Sequence, residues 1–305
     1  MPTRPDETQL GSNVSRVGCI FRPQHPPELL PSVARAADEA GLHELWLWED
    51  CFLHGSIAAA SVALAHSRSL TVGIGVLPAP LRSVSTTAME VATLARLYPG
   101  RLRVGIGHGV QEWMAQIGRR VESPMTLLRE YTHCLRMLLD GNNVTFRGRY
   151  IHLDAVQLVF PPAGRLDLLV GATGPRTLAL SGELADGTIL TGGTAPDGVR
   201  RARQHIAEGA NRVGRNTPHP VVAFVPCVIG PDATAVIADE LRAWNSEGDP
   251  GDLAAFGSTS GDVAEQAFRW REAGADTIVF QPTAQAGPEH FVRRIATEVQ
   301  PLLSG

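Results

Sequence analysis

The sequence predicts an α/β protein with a (β/α)8 TIM-barrel fold, and three observations lead to this prediction. Short apolar segments alternate with helix-like segments along nearly the whole chain of 305 residues. Eight such pairs follow one another, and strands that alternate with helices form parallel sheets. No Gly-x-Gly-x-x-Gly pattern follows the first predicted strand, which counts against the alternative, an open doubly wound sheet.

Each predicted strand is a short apolar run, and a predicted helix follows each of them. The strands are predicted at residues 15–21, 44–50, 70–77, 101–107, 166–172, 188–193, 220–230 and 276–282. The helices are predicted at residues 26–41, 55–66, 85–100, 123–141, 175–187, 196–214, in helical segments that end at 273, and at 288–303. The helix at 123–141 is typical, because a serine and a proline begin it and a glycine ends it.

Two segments fall outside this alternation. Residues 142–166 are predicted to form an inserted hairpin or loop after the fourth helix. Residues 1–14 lack the apolar core of a secretory signal and are predicted to be a flexible N-terminal lead-in. Residues 15–305 show no internal boundary rich in Pro, Gly or Ser, so we expect a single domain.

The composition argues against several classes of function. The net charge is −4 and no basic run is present, so nucleic acid is not expected as a partner. No apolar run reaches the ~18 residues of a membrane span. All 27 basic residues are arginine, which excludes a Schiff-base lysine and a P-loop lysine. The four cysteines lie far apart, so no metal site or disulfide framework is predicted and a cytoplasmic location is expected.

In a barrel of this type, the chemistry lies at the carboxyl ends of the strands. The loop after the second predicted strand places Asp50, Cys51 and His54 at the barrel mouth. Asp50 is predicted to contact a ligand, the alternative being a helix cap, whereas packing is at least as good a role for Cys51 and His54. After the third strand, Gly75 and Val76 precede two prolines, which predicts a bulge or a sharply bent backbone.

The fourth and fifth predicted strands end in glycine-rich loops. Gly107 and Gly109 follow the fourth strand and flank His108, and Thr173 and Gly174 follow the fifth. Bare amides before a helix favour a phosphate or the edge of a flat ring. These loops and the bend after the third strand form one arc around the mouth. The arc predicts a large flat cofactor with a phosphate tail that approaches Gly107 and Gly109.

Two longer motifs at these loops resemble the luciferase-like flavin and deazaflavin oxidoreductases, most of all the branch that uses coenzyme F420. They are LYPGRLRVGIGHGVQEWM at residues 97–114 and VGATGPRTLALSGELADGTILTGG at residues 170–193. The resemblance covers nearly the whole chain. It implies a (β/α)8 barrel, a homodimer, and hydride transfer between F420, a 5-deazaflavin, and a small organic substrate.

The same resemblance implies where the cofactor binds. It implies a cis peptide between Gly75 and Val76 that supports the ring, and it places Asp50 near the polar edge or the hydroxybenzyl end of the ring. Further cofactor contacts are implied for Gly107, His108, Gly109, Val110 and Trp113 beside the ring, and for Thr173 and Gly174 beside the ribityl phosphate.

The chain departs from the sugar-phosphate dehydrogenases of that family. Cys51 stands where they have a histidine after the aspartate, Val110 stands where they have a glutamate, and lysine is absent. A glucose-6-phosphate dehydrogenase activity is therefore not expected. His108, Glu112, His54 and Cys51 are the candidates for a proton donor or acceptor, and His108 is assigned that role in the main hypothesis.

Two other functions are consistent with the pattern. One is an FMN-dependent monooxygenase that uses reduced flavin and O2, and the other is a carrier or sensor that binds a flavin or deazaflavin without turnover. In each case we expect the small-molecule ligand to contact residues 142–166, the loops after the last three strands, and Trp48.

Overall fold

A computed structural model describes residues 16–246 and 248–304. These residues form a closed barrel of eight parallel strands surrounded by helices, which confirms the predicted (β/α)8 fold. The predicted lead-in, residues 1–14, lies outside the described residues. Among the helices in the described part of the chain, none combines the length and apolar character needed to cross a membrane.

The observed elements follow the predicted order closely. The strands are β1 Arg16–Ile20, β2 Glu44–Leu47, β3 Thr71–Pro78, β4 Leu102–Gly107, β5 Val144–Arg147, β6 His152–Val156, β7 Leu168–Gly171, β8 Gly187–Leu190, β9 Val221–Ile229, β10 Ala255–Gly257 and β11 Thr277–Gln281. The helices are α1 Leu30–Glu39, α2 Ser56–Ala65, α3 Val84–Leu97, α4 Gln111–Gln116, α5 Pro124–Leu139, α6 Pro175–Leu184, α7 Pro196–Arg212, α8 Ala233–Ala243, α9 Pro250–Leu253, α10 Ser260–Glu272, α11 Pro288–Arg294 and α12 Gln300–Leu303.

The barrel closes by parallel pairing in the order β1, β2, β3, β4, β7, β8, β9, β11 and back to β1. Its strands are buried on both faces, and every residue of β4 is buried. This is expected where helices cover the outer face of a parallel sheet. Side chains fill the interior, where Trp46 is fully buried and its ring centroid lies 5.6 Å from that of Phe224. This packing fixes the strand ends that carry the site.

The insertion predicted after the fourth helix is confirmed as a β-hairpin. β5 and β6 pair antiparallel between α5, the fourth predicted helix, and β7. The carboxylate of Glu130 on α5 accepts hydrogen bonds from the backbone N–H groups of Arg149, Tyr150 and Ile151 at 2.7, 2.8 and 3.0 Å. Burial raises the pKa of Glu130, but these donors outweigh it and the net pKa is lowered. One side chain thus ties the hairpin to the barrel.

Three local features differ from the prediction. Where only helices were predicted before residue 273, the three-residue strand Ala255–Gly257 pairs in parallel with β9. A strand this short shows no alternation that a sequence pattern could reveal. The last predicted helix, 288–303, contains a π-helical turn, Ile295–Val299, and a 3-10 turn, Pro27–Leu29, precedes α1.

A polar cluster closes the barrel at the amino ends of the strands. Glu44 is fully buried and accepts hydrogen bonds from Arg16 at 2.6 Å, Arg103 at 3.0 Å and Trp46 at 2.7 Å. A pocket of about 450 Å³ opens beside this cluster. Because this end of the fold serves stability rather than chemistry, we look for the site at the other end.

Candidate active site

The carboxyl ends of the barrel strands surround a cavity of about 340 Å³. Active sites of this fold lie at this end, so we consider it before the larger pocket at the opposite end. One side is formed by Trp48, Glu49, Asp50, Gly75, Val76, Pro78, Gly109, Val110 and Trp113, from β3 and the segments that follow β2 and β4. The other side is formed by Thr191 and Gly192 after β8, Phe224 in β9, Trp244 after α8, and Gln281 in β11.

Val76 forms one wall of the cavity, and its side chain rests on glycines of neighbouring strands. A Cβ atom at Gly107 would lie 2.5 Å from Val76 Cγ2, and one at Gly171 would lie 2.7 Å from Val76 Cγ1. At Gly105 the corresponding distance to Val76 Cγ1 is 3.0 Å. Carbon atoms in packed interiors do not approach so closely, so Gly107 and Gly171 are glycine because Val76 fills the space, whereas at Gly105 the nearest atom is Ile189 Cδ1 at 2.4 Å. Gly107 therefore does not line the cavity, whereas Gly109, with a φ of 69°, does.

The backbone at the end of β3 is the one that the resemblance implied. The peptide bond between Gly75 and Val76 is cis. The pairing of β3 with β4 shifts register around this bond, which confirms the predicted bulge. A second cis peptide, between Cys51 and Phe52, was not predicted. Both bonds lie in segments at the barrel mouth.

Asp50 lies on the cavity wall. Its Oδ2 atom accepts a hydrogen bond from Trp48 Nε1 at 2.8 Å. Burial raises the pKa of Asp50, although hydrogen bonds from Trp48 and Gln24 and the charge of Arg22 oppose this shift. Asp50 therefore holds its proton to a higher pH than an ordinary aspartate.

The sequence analysis missed Glu49, the second acidic group of the cavity. Its carboxylate accepts hydrogen bonds from Arg82 at 2.5 and 2.8 Å, and from the backbone N–H of Ser56 at 3.3 Å. The hydrogen bond to Glu49 raises the pKa of Arg82. This bidentate pair offsets the charge of Glu49. Among the described residues, Asp50 is thus the one carboxylate of the cavity wall without a cationic hydrogen-bond partner.

His108, the favoured candidate for proton transfer, does not line this cavity. Its Nε2 atom lies 3.1 Å from Thr177 Oγ1, in the first turn of α6. Burial lowers the pKa of His108 and outweighs the opposing effect of a hydrogen bond with the Pro124 carbonyl. The imidazole is therefore neutral at pH 7, and its contact links the loop after β4 to the start of α6.

The remaining candidates for proton transfer also lie outside the cavity. Glu112 is exposed in the first turn of α4. Cys51 is half-buried, and its pKa is raised by burial and by the nearby charge of Glu49, so its thiol stays protonated at neutral pH. His54 lies beside Phe21 with a ring-centroid distance of 5.9 Å, and burial lowers its pKa.

Thr173 and Gly174 are exposed at the start of α6, beyond the edge of the cavity. Gly174 is the N-cap residue of α6, and no side chain caps the first turn. Pro175 has no N–H and the N–H of Thr177 donates to the Gly174 carbonyl, so the N–H of Arg176 is the amide of that turn that can bind an anion. Arg176 lies exposed in the same turn and adds a positive charge. The structure thus leaves an anion-accepting helix start next to the segment that His108 contacts.

The expected ligand contacts agree with the cavity only in part. Trp48, the segment after β8, Phe224 within β9 and Gln281 at the end of β11 line it, but no residue of 142–166 does. Trp244 was missed, since it follows a helix and no local pattern points to it. A Cβ atom at Gly192 would lie 3.6 Å from Trp244 and 3.0 Å from Gln281 Oε1. This glycine lets both side chains approach the cavity.

Comparison with known proteins gives the family. The model of the family described as luciferase-like monooxygenase matches residues 13–304. The chain belongs to this family. An F420-dependent hydroxymycolic acid dehydrogenase of Mycobacterium tuberculosis is 30% identical over 78% of the chain and 70% of its own length. A 5,10-methylenetetrahydromethanopterin reductase of Methanolobus tindarius is 29% identical, over 69% of the chain and 64% of that relative.

Solved structures of two F420-dependent enzymes share the fold. An F420-dependent secondary alcohol dehydrogenase in complex with an F420–acetone adduct superimposes with a TM-score of 0.85, at 20% identity, over 96% of the chain and 100% of its own length. The F420-dependent tetrahydromethanopterin reductase of Methanopyrus kandleri gives a TM-score of 0.80, at 18% identity, over 95% and 99%. At these identities the likeness establishes the barrel alone.

Proposed function

We propose that this luciferase-like protein is an oxidoreductase that transfers a hydride between coenzyme F420 and a small organic substrate in the cytoplasm. The observation that carries the proposal is the cavity wall at Val76, which presents an apolar side chain at the barrel mouth in the same cavity as Asp50 and three tryptophans. Relatives and structural neighbours whose names specify F420 support the choice of cofactor.

The residues present fit a deazaflavin. Val76 and Pro78 offer an apolar face for the ring, and Asp50 can accept a hydrogen bond from its polar edge. Gly109 leaves the backbone accessible beside the ring. Val110 and Trp113 at the cavity are further cofactor contacts in this proposal. The uncapped start of α6, at Thr173 and Gly174, would bind the phosphate.

The protein's own groups then have distinct roles. Bound F420 supplies or accepts a hydride at its ring carbon, and the barrel mouth holds that carbon against the substrate and excludes water. Asp50 is the ionisable group of the cavity whose pKa is raised, so it can hold or move a proton there. His108 stays neutral and fixes the start of α6 through Thr177, which makes it a positioning residue in this proposal.

The experiment is equilibrium binding of F420 and of FMN to the apoprotein, followed by fluorescence quenching. F420 is expected to bind at micromolar concentration or tighter, and much more tightly than FMN. Replacing Asp50→Asn is expected to weaken F420 binding by about tenfold, since a charged hydrogen-bond acceptor is lost. The matched control is Asp154→Asn, which changes an exposed aspartate on β6.

Each alternative predicts a different result in the same measurement. A preference for FMN would instead indicate the monooxygenase that uses reduced flavin and O2. Tight binding of F420 without hydride exchange to any acceptor would indicate a carrier or sensor. Binding of neither compound would refute the cofactor assignment altogether.

We also propose that the chain forms a homodimer through α2 and α3. α2 contains no charged residue, and on α3 the side chains of Met89 and Leu97 are 61% and 65% exposed. An apolar helix face on a protein surface marks a contact with another protein, and a second copy would cover it symmetrically.

Analytical ultracentrifugation is expected to give a dimer that Met89→Glu dissociates. The control Val213→Glu, at an exposed apolar residue after α7, should remain dimeric, and a monomeric wild type would contradict the proposal.

A further inference from the structure

The charges around the mouth cavity restrict what it can hold. Among the described residues, none of the side chains lining it is an arginine, lysine or histidine. Glu49 is offset by Arg82, and Asp50 keeps a carboxylate on the wall. A phosphorylated or carboxylated substrate would therefore lie beside acidic groups with no cation to pair with, which costs free energy.

Aromatic side chains make up much of the remaining wall. Trp48, Trp113 and Trp244 line the cavity together with Phe224, and each of the three tryptophans is only half-buried. The other two tryptophans of the chain, Trp46 and Trp270, are fully buried in the core. Half-buried indole rings around one cavity favour a flat apolar ligand, because large rigid rings gain contact area at little entropic cost.

Trp244 is fixed by a buried ion pair. The guanidinium of Arg22 lies 5.8 Å from the centre of the Trp244 ring, bonds to the carboxylate of Glu240, and donates to the Pro282 carbonyl at 3.0 Å. The side chains of Arg22 and Glu240 are 7% and 8% exposed. The positive charge is thus engaged with Glu240 and with the indole face and is not available to an anionic substrate.

Gln281 supplies a polar group on the same side. It is 7% exposed, and no hydrogen bond of its side-chain amide is found within the described residues. A buried amide that faces a cavity without a partner favours a ligand with a hydrogen-bonding oxygen. The polar contact and the aromatic wall therefore select the same kind of molecule.

We propose that the substrate is an uncharged, flat and mainly apolar molecule with one hydrogen-bonding oxygen, held between Trp244 and the cofactor ring that covers Val76, with its oxygen at Gln281. This rests on the proposed function, because the same cavity must also take the cofactor ring. Trp244 then determines specificity, and sugar phosphates are rejected because of charge.

The test uses three compounds of the same shape that differ in charge: indanone, indane carboxylate and aminoindane. Their binding to the F420-loaded protein and to the apoprotein is measured by calorimetry at pH 7, with glucose-6-phosphate as a further anion. Indanone is expected to bind at least about tenfold more tightly than the carboxylate analogue or the sugar phosphate, and the amine reports whether the carboxylate of Asp50 attracts a cation instead. Trp244→Leu should weaken indanone binding by about tenfold, and Trp244→Phe, the matched control, by much less.

The outcomes separate this inference from the proposed function. If F420 binds but the carboxylate or the amine binds as tightly as indanone, the substrate class is wrong and the cofactor assignment stands. If Trp244→Leu binds F420 normally and loses no affinity for indanone, the role of Trp244 is refuted. If F420 itself does not bind, the proposed function fails first.

Discussion

The contact between Val76 and the glycines beneath it leads to a prediction that can be worked out from distances. An alanine at position 107 would place a methyl group 2.5 Å from Val76 Cγ2 but 3.4 Å from Val76 Cβ. Gly107→Ala should therefore cost about 2 kcal/mol of unfolding free energy through overpacking. Val76→Ala removes two methyl groups and should cost about 1.5 kcal/mol. In the double variant the overlap disappears, since 3.4 Å to a Cβ atom is close to ordinary contact.

The double variant should thus cost about 1.5 to 2 kcal/mol rather than the additive 3.5, a coupling of about 1.5 to 2 kcal/mol. The assay is urea denaturation of all three variants, with the F420 dissociation constant as a second readout. Gly107→Ala alone should also weaken F420 binding, because it displaces Val76 towards the cavity. The control is Gly164→Ala, at an exposed glycine where a Cβ atom would meet nothing within 4 Å. The reasoning would be refuted if the losses of unfolding free energy in the two single variants added up to that of the double variant within about 0.5 kcal/mol. It would also be refuted if Gly107→Ala were as stable as the control.

Three further predictions concern stability. The pKa of His219 is lowered to about 4, mainly by burial, so the unfolding free energy should fall by up to about 3 kcal/mol as the pH drops from 6.5 to 4. His219→Gln should remove most of this loss in urea titrations across that pH range. An unchanged pH profile in the variant would contradict the assignment. Arg82→Ala should lower the unfolding free energy by about 2 to 3 kcal/mol, because it leaves the buried carboxylate of Glu49 unpaired. The double variant Arg82→Ala, Glu49→Gln should lose clearly less stability. Equal losses of unfolding free energy in urea denaturation would argue against that account. Glu130→Gln should speed hydrogen exchange of the hairpin amides at residues 149–151 while the exchange of β4 stays slow; uniform acceleration would instead indicate global destabilisation.

The fold was predictable because a (β/α)8 barrel repeats one local pattern. Each strand is an apolar run covered on both faces, and each helix begins and ends with recognisable residues, as at Ser123 and Gly141. β10 was not predicted, because a strand of three residues is too short to show the alternation of apolar and polar residues. The hairpin was located by its departure from the repeat, but its attachment to α5 was not predictable. That attachment depends on Glu130, a side chain of α5 whose partners lie some twenty positions along the chain.

The candidate site was predictable where it follows strand ends and not where it depends on tertiary contacts. Asp50 and Gly109 line the cavity at the positions that strand-end reasoning gives. Trp244 could not be found in this way, because Arg22, more than two hundred residues earlier in the chain, holds it in place. The proton-transfer role of His108 remains a prediction, and the position of its ring also depends on a tertiary contact. Its setting among glycines pointed to the cavity, but the ring is directed to Thr177 on α6.

The glycines of the loop after β4 show why a motif can point to the right place for the wrong reason. In the sequence they predict a bare backbone that a ligand approaches, and Gly109 lines the cavity in that way. Gly107 on β4 and Gly171 on the adjacent strand instead accommodate the Val76 side chain. Because a Cβ atom at either of them would displace Val76, the absence of side chains on β4 and β7 determines the shape of a wall on β3. A cofactor bound at this wall would therefore depend on glycines that it does not touch, and Gly107→Ala would act on binding through Val76.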